Sequence, residues 1–235
     1  MKFLLPRLMG MAAVCALAVS AAAFEGKITF ALKGAKEKPM TVTYAMKEGF
    51  LRMEPQMAEA RGTAMIFDWA KQEMIVLMPQ RSMYMTMPIQ GGATAAGPAG
   101  RQPEQKVEKT GKTETILGYQ CEQYVTTDRK GETVELWVTD KLGMFMGLGG
   151  GGGGGPMGGM MGGHRGGSGE HSWEQLVKGK AGFFPLRIIG HDASGKETFK
   201  LETQSIEPGP LPASLFAPPE GYQSFQMPSM PGMRG

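Results

Sequence analysis

The chain has 235 residues, of which 41% are hydrophobic and 20% charged, and its formal net charge is +3. This length and apolar fraction suffice for one domain with a substantial core. The sequence has no cluster of lysine or arginine with interleaved aromatic residues, which argues against nucleic-acid binding.

The first 23 residues have the pattern of a secretory signal peptide. Lys2 and Arg7 precede the uncharged run LMGMAAVCALAVSAAA, which ends in small residues. A bilayer-spanning helix needs roughly 20 predominantly apolar residues, and this run is shorter. We therefore expect a mature chain that begins at Phe24, without a transmembrane segment, in the periplasm or secreted. Its one cysteine is Cys121, so it forms no intramolecular disulfide.

From Phe24 onward, apolar and polar residues alternate with the period of two that is typical of half-buried strands. The connections between the alternating runs are too short for crossover helices, so the pattern predicts an antiparallel meander. The predicted strands of this first half are 27–32, 40–46, 50–55, 63–69, 73–79 and 81–87.

The second half of the chain resumes the strand pattern after a loop rich in glycine, alanine and proline at 88–104. A glycine- and methionine-rich stretch at 147–169 is interpreted as a flexible insertion. The run EHSWEQLVKG at 170–179 predicts a short helix that Ser172 caps. The remaining predicted elements are strand runs at 112–128, 132–140, 183–192 and 196–206, a short turn at 213–216, and a methionine- and proline-rich flexible tail at 226–235.

Together these patterns predict a mainly β fold with about nine strands in one large curved antiparallel sheet. The sheet forms a half-open barrel in a single domain, residues 24–225, with one or two short helices and long glycine-rich loops. Such a sheet has one apolar face, and that face must be covered. Either an apolar ligand covers it, or the sheet bends until its own halves and the segment LPASLFAPPEGY fill the concavity.

Several segments resemble an exported bacterial family, domain of unknown function 4412. They are FEGKITFAL, GFLRMEP, MIFDWAKQEMIVLMPQRSMYMTMP, TGKTETILGYQCEQYVTT, ELWVTDKLG and LFAPPEGY. More distantly, the pattern is similar to the LolA and LppX lipoprotein-carrier scaffold. This resemblance implies an unclosed, strongly bent antiparallel sheet whose concave face houses acyl chains.

Catalytic patterns are missing from the sequence. No histidine pair has the spacing of a helical metal site, and no serine lies in a G-x-S-x-G motif. Cys121 lies in an alternating run that is typical of a structural thiol. We therefore expect a protein that is not an enzyme and that needs no cofactor.

The alternating strands place large apolar side chains on one face, which is the expected site for a lipid or a lipoprotein segment. Met83, Met85 and Met87 share one strand face as a flexible lining or as ordinary core, whereas Met74 and Met78 are interpreted as core filling. The candidate ligand-binding residues are Phe30, Val42, Tyr44, Met83, Met85, Met87, Leu136 and Val138.

Methionines outside the strand runs indicate a second hypothesis, a periplasmic protein that binds Cu(I). Thioether sulfur prefers Cu(I) to hard cations, and M-x-x-M spacing on a flexible chain lets several sulfurs reach one ion. The candidate ligands are Met157, Met160, Met161, His164, Met227, Met230 and Met233. An envelope scaffold with no small ligand is the third hypothesis. The sequence leaves the ligand, the partner proteins and the oligomeric state open.

Overall fold

The computed structural model describes residues 24–34, 39–56, 62–89, 106–145 and 182–225. The signal peptide, the 147–169 insertion, the 170–179 helix, the 226–235 tail and most of the 88–104 loop lie outside the described residues. The described residues form one sheet of twelve strands. The strands are β1 Gly26–Gly34, β2 Met40–Lys47, β3 Phe50–Gln56, β4 Ala64–Asp68, β5 Glu73–Met78, β6 Met83–Pro88, β7 Lys106–Ile116, β8 Tyr119–Thr127, β9 Thr133–Thr139, β10 Phe184–His191, β11 Glu197–Pro208 and β12 Gln223–Ser224.

The sheet consists of two meanders that meet in the middle. Its strand order is β12-β6-β5-β4-β3-β2-β1-β11-β10-β9-β8-β7, so β1 to β6 run outward from the centre on one side. The second meander, β7 to β11, returns to the centre, where β11 pairs antiparallel with β1. Because β7 and β12 end the order without pairing with each other, the sheet is an unclosed barrel, which confirms the predicted fold class.

Two details of the predicted sheet were wrong. The structure has twelve strands instead of about nine: the run 112–128 belongs to two strands, β7 and β8, and the C-terminal segment adds the short strand β12. β7 also begins earlier than predicted, at Lys106. The sheet is also mixed, since β12 pairs parallel with β6. Two short 3₁₀ helices, Pro79–Arg81 and Ala213–Phe216, occur in the described segments, and the second is the predicted turn.

Burial alternates along the strands, as a sheet with one apolar face requires. In β1 the buried residues are Gly26, Ile28 and Phe30, and in β9 they are Val134, Leu136 and Val138, with Thr139 buried as well at the end of the strand. The face that carries Ile28, Tyr44 and Leu136 holds the main core, and we call it the inner face. The outer face carries a smaller cluster of Ala45, Ala64, Ile66, Leu77 and Phe216.

The middle of the inner face is closed by a segment that follows β9. Leu142 and Phe145 come from this segment and are 0% exposed. It is held beside β10 by a bridge between Met144 and Phe183, and the Gly182 N–H donates to the Gly143 carbonyl at 3.2 Å. The chain therefore supplies its own cover over the centre of the sheet.

Candidate ligand-binding site

The structure divides the eight predicted ligand-binding residues into two groups. The central group, 0–5% exposed, lies within the core and consists of Phe30, Val42, Tyr44, Leu136 and Val138. The other three, Met83, Met85 and Met87, lie on β6 near one end of the sheet and are partly exposed. Only this second group presents apolar surface to an incoming molecule.

The central group is covered by aromatic packing. The ring of Phe145 lies 6.0 Å from Phe30, 5.9 Å from Tyr44 and 5.5 Å from Phe184, measured between ring centroids. Phe30 and Tyr44 themselves pack edge to face at 5.0 Å. Offset and edge-to-face rings at these distances are favourable arrangements. Protein side chains thus fill the centre of the concavity.

The segment LPASLFAPPEGY does not fill this concavity, contrary to the second alternative drawn from the sequence. Phe216 packs on the outer face, where its ring lies 5.5 Å from Phe50. The Arg52 guanidinium donates to the Leu215 carbonyl at 2.8 Å, and the Lys47 ammonium donates to the Leu211 carbonyl at 2.7 Å. The C-terminal segment is therefore fastened to the opposite side of the sheet.

Glu25 completes the attachment of this segment. Its carboxylate accepts a hydrogen bond from the Leu211 backbone N–H at 2.6 Å and one from the Lys47 ammonium at 3.1 Å. These two hydrogen bonds hold the pKa of Glu25 below its usual value, and the bond from the Leu211 backbone has the larger effect. A cleft of about 280 Å³ remains between the segment and the sheet, lined in part by Phe50, Ile75 and Lys71.

One row of inner-face residues becomes steadily more exposed toward β6. Its members are directly paired across neighbouring strands. Exposure rises from 0% at Ile28 and Tyr44 through 2% at Met53 and 4% at Met65 to 8% at Val76, and Met85 at the end is partly exposed. The core therefore opens at the β5–β6 end of the inner face.

Methionine is concentrated on this open end. In the β5–β6 hairpin the inner-face pairs are Met74–Met87, Val76–Met85 and Met78–Met83, so five of these six positions are methionine. The outer-face pairs, Glu73–Pro88, Ile75–Thr86 and Leu77–Tyr84, contain none. A general bias toward methionine would place it on both faces. We call Met74, Met78, Met83, Met85 and Met87 the methionine face.

The sequence interpretation of Met74 and Met78 as core filling was incomplete. Both are partly exposed, unlike the buried Met53 and Met65. The alternation in EMIVLM places Met74 and Met78 on one strand face, but only the register with β6 shows that this face is shared with Met83 and Met87. Hairpin pairing was the signal that would have found them.

The electrostatics of the open end are simple. The inner-face positions of β3 to β6 carry no charged side chain; besides the methionine face they are Leu51, Met53, Pro55, Met65, Phe67 and Val76. The charged residues of these strands, such as Arg52, Glu54 and Asp68, point to the outer face, where Arg52 pairs with Glu54 and Asp68 with Lys71. This surface suits an uncharged apolar group.

Cys121 is buried, and its environment does not favour the reactive thiolate form. Burial raises the pKa of its thiol to about 11, which keeps it protonated at neutral pH. Within the described parts of the chain, no group of three or more histidine, cysteine, aspartate or glutamate side chains is placed to hold a metal ion. The predicted copper ligands Met157, Met160, Met161, His164, Met227, Met230 and Met233 all lie outside those parts.

No helix in the described ranges combines the length and the apolar character that crossing a membrane requires. Sequence comparison finds no matching curated protein. A family model described as "Domain of unknown function (DUF4412)" matches residues 24–222, and the match begins at the residue where the sequence predicts the mature chain to start.

Solved structures similar to this chain show low sequence identity. An uncharacterized conserved protein from Thermus thermophilus is 13% identical with a TM-score of 0.45, over 86% of this chain and 90% of that one. A LolA superfamily protein from Nitrosomonas europaea is 15% identical with a TM-score of 0.32, over 84% and 90%. The Pseudomonas aeruginosa MucA/MucB complex contains a chain 10% identical with a TM-score of 0.41, over 82% and 54%.

Proposed function

The chain belongs to the DUF4412 family, and from this premise we propose that it is an exported, non-catalytic protein that binds an apolar ligand on its methionine face. The ligand class is an acyl chain, carried by a lipid or by a lipoprotein segment. The observation that supports this proposal is the contrast between the protein-filled centre of the inner face and its partly exposed, uncharged end at β5–β6.

The energetics favour an acyl chain over a polar ligand. Each methylene group removed from water contributes about 0.8 kcal/mol, so even a short length of acyl chain gains several kcal/mol against an apolar surface. A polar ligand gains nothing comparable, because the inner-face positions of β3 to β6 offer no charged partner. The head group of the lipid stays in water at the edge of the sheet.

Methionine suits a flexible, variable ligand. Its unbranched side chain has three rotatable bonds and a polarizable sulfur, so it adapts its shape to the molecule that it contacts. Five such side chains on adjacent strands form a surface that accommodates acyl chains of different length. Phe67 lies on β4, directly opposite Met74 of β5, and continues this surface toward the core.

The test places a charge on each face of the same strand. Met85→Glu introduces a carboxylate on the methionine face, whereas Thr86→Glu, its matched control, introduces one at the neighbouring exposed position on the outer face. Burying a carboxylate against an acyl chain is costly. We expect Met85→Glu to weaken binding of a fluorescent fatty acid at least tenfold and Thr86→Glu to leave it unchanged.

Equal weakening in both variants, or no binding to the wild type, would contradict the proposal. Thermal midpoints of both variants identify any loss of folding. A wild type that binds no acyl probe, purified from its own envelope without lipid, would favour the envelope scaffold instead.

A further inference from the structure

We propose that the methionine face also forms a Cu(I) site, with Met74, Met85 and Met87 as its thioether ligands. This inference goes beyond the binding of an apolar ligand, because it depends on the sulfur atoms rather than on the apolar surface. It also differs from the copper hypothesis drawn from the sequence, whose candidate residues lie outside the described parts of the chain.

The register brings three thioethers together. Met74 and Met87 are directly opposite each other on adjacent strands. Directly paired residues have Cβ atoms about 4.5–5.5 Å apart, and diagonal neighbours are about 7–8 Å apart. Met85 is the diagonal neighbour of Met74 and lies two residues from Met87 on β6, about 7 Å along the strand. The three side chains thus form a compact triangle on one face.

Methionine side chains are long enough to close this triangle on one ion. The sulfur lies two bonds beyond Cβ, and rotation about the first two side-chain torsions moves it across the face. All three residues are partly exposed, whereas Met53 and Met65 are buried; Met74 and Met87 also pack against the edge of the main core. An ion from solution therefore reaches the site without opening the core.

The donor set selects the metal. Thioether sulfur is a soft ligand that favours Cu(I), whereas Mg²⁺ and Ca²⁺ require oxygen donors. The inner-face positions of β3 to β6 provide no carboxylate, imidazole or thiolate. Three neutral sulfur ligands do not cancel the charge of the bound ion. A net charge of +1 costs less on an apolar surface than a charge of +2, which favours a monovalent ion.

The restriction of methionine to one face of the hairpin separates this site from compositional bias. Leucine, isoleucine or valine fills an apolar strand face as well as methionine does, and the outer face of the same hairpin uses isoleucine and leucine at Ile75 and Leu77. Five of the six inner-face positions of this hairpin are methionine, and what distinguishes them from those aliphatic residues is the sulfur atom, which is a ligand for soft metal ions.

The experiment replaces sulfur while keeping volume. The triple variant Met74→Leu, Met85→Leu, Met87→Leu removes the three ligands, and the control Met53→Leu, Met65→Leu removes two buried sulfurs from the same face. Such swaps cost less than about 1.5 kcal/mol each when the core repacks. Cu(I) binding is measured without oxygen, in a reducing buffer, by competition with a chromophoric chelator.

We expect the triple variant to lose one Cu(I) equivalent, or at least tenfold in affinity, and the control to match the wild type. Wild-type protein is tested with the fatty-acid probe in parallel, which separates failure of this inference from failure of the proposed function. A wild type that binds the probe, with Cu(I) binding unchanged in the triple variant, overturns this inference alone. A wild type that binds Cu(I) through these methionines but binds no probe overturns the proposed function alone. Equal Cu(I) stoichiometry and affinity in wild type and triple variant would overturn the site.

A second measurement locates the ion directly. With ¹³C-labelled methionine methyl groups, Ag(I), a diamagnetic soft ion, should shift the resonances of Met74, Met85 and Met87, while Zn²⁺ at the same concentration leaves them unmoved. Shifts confined to other methionines would place the metal elsewhere and refute the assignment.

Discussion

Replacing Phe145 by alanine is expected to destabilise the protein by about 4–5 kcal/mol. Large-to-small changes at buried phenylalanine cost about 3–5 kcal/mol, and the cost is greatest where the surroundings cannot collapse into the cavity. Phe145 is 0% exposed, and its neighbours Phe30, Tyr44 and Phe184 are also fully buried on strands held in register. The cavity therefore stays open, which places the cost in the upper part of the range.

The assay is chemical and thermal unfolding followed by circular dichroism. For a domain of 150–250 residues, each kcal/mol lowers the thermal midpoint by about 2–4 °C, so the midpoint of Phe145→Ala should fall by about 8–20 °C. Phe225→Ala, at a position that is 39% exposed, is the matched control and should shift the midpoint little. A loss below about 1 kcal/mol in Phe145→Ala would refute the claim that this side chain closes the centre of the inner face.

Three further predictions address other parts of the fold. Gly190→Ala should destabilise the protein by about 1–3 kcal/mol, because a Cβ at this position overlaps the ring of Phe199. Adding Phe199→Leu to this variant should partly restore its thermal midpoint, and a Gly190→Ala variant as stable as the wild type would contradict this packing. Arg52→Met should cost about 1–2 kcal/mol and expose the C-terminal segment to limited proteolysis, since it removes the donor to the Leu215 carbonyl; an unchanged cleavage rate would argue against the attachment. Burial raises the pKa of Cys121 from its ordinary value of 9.0 to about 11, so the unfolded state loses this proton first and stability should fall as pH rises from about 9 to 11; a Cys121→Ala variant with the same pH dependence would show that another group is responsible.

The sequence was sufficient for the type of fold because period-two alternation is strong in the central strands. It failed where that signal is weak. β7 is an edge strand whose residues from Val107 to Thr113 are all exposed, so polar and apolar positions do not separate. Its hairpin turn has Leu117 at φ +49° before Gly118 at φ +85°, and leucine is a rare residue in that conformation.

β12 was missed for a different reason. It has two exposed residues, and its parallel pairing rests on backbone contacts such as the Gln223 N–H to the Ser82 carbonyl at 2.9 Å. Side-chain pattern carries no information about such a pairing. The apolar residues of LPASLFAPPEGY indicated burial, but a pattern in one segment does not specify which face of a distant sheet receives it.

The candidate site was only partly predictable for related physical reasons. The row of Met83, Met85 and Met87 follows from alternation within one strand, whereas the inclusion of Met74 and Met78 depends on register between two strands. The cover over Phe30 and Tyr44 comes from Phe145, which lies in a non-periodic segment after β9. Whether an apolar face is open or filled therefore depends on tertiary contacts that no local pattern records.

Photocrosslinking shows directly whether an apolar ligand binds where the inner face opens at β5–β6. A fatty acid with a diazirine on its acyl chain is bound to the wild-type protein, irradiated, and located by peptide mass spectrometry, with excess unlabelled fatty acid as competitor. We expect crosslinks in residues 64–88, concentrated on the methionine face and Phe67, and we expect the unlabelled fatty acid to suppress them. Competable crosslinks concentrated instead at Val42, Tyr44 or Leu136, or in the outer-face cleft beside Phe216, would contradict this expectation.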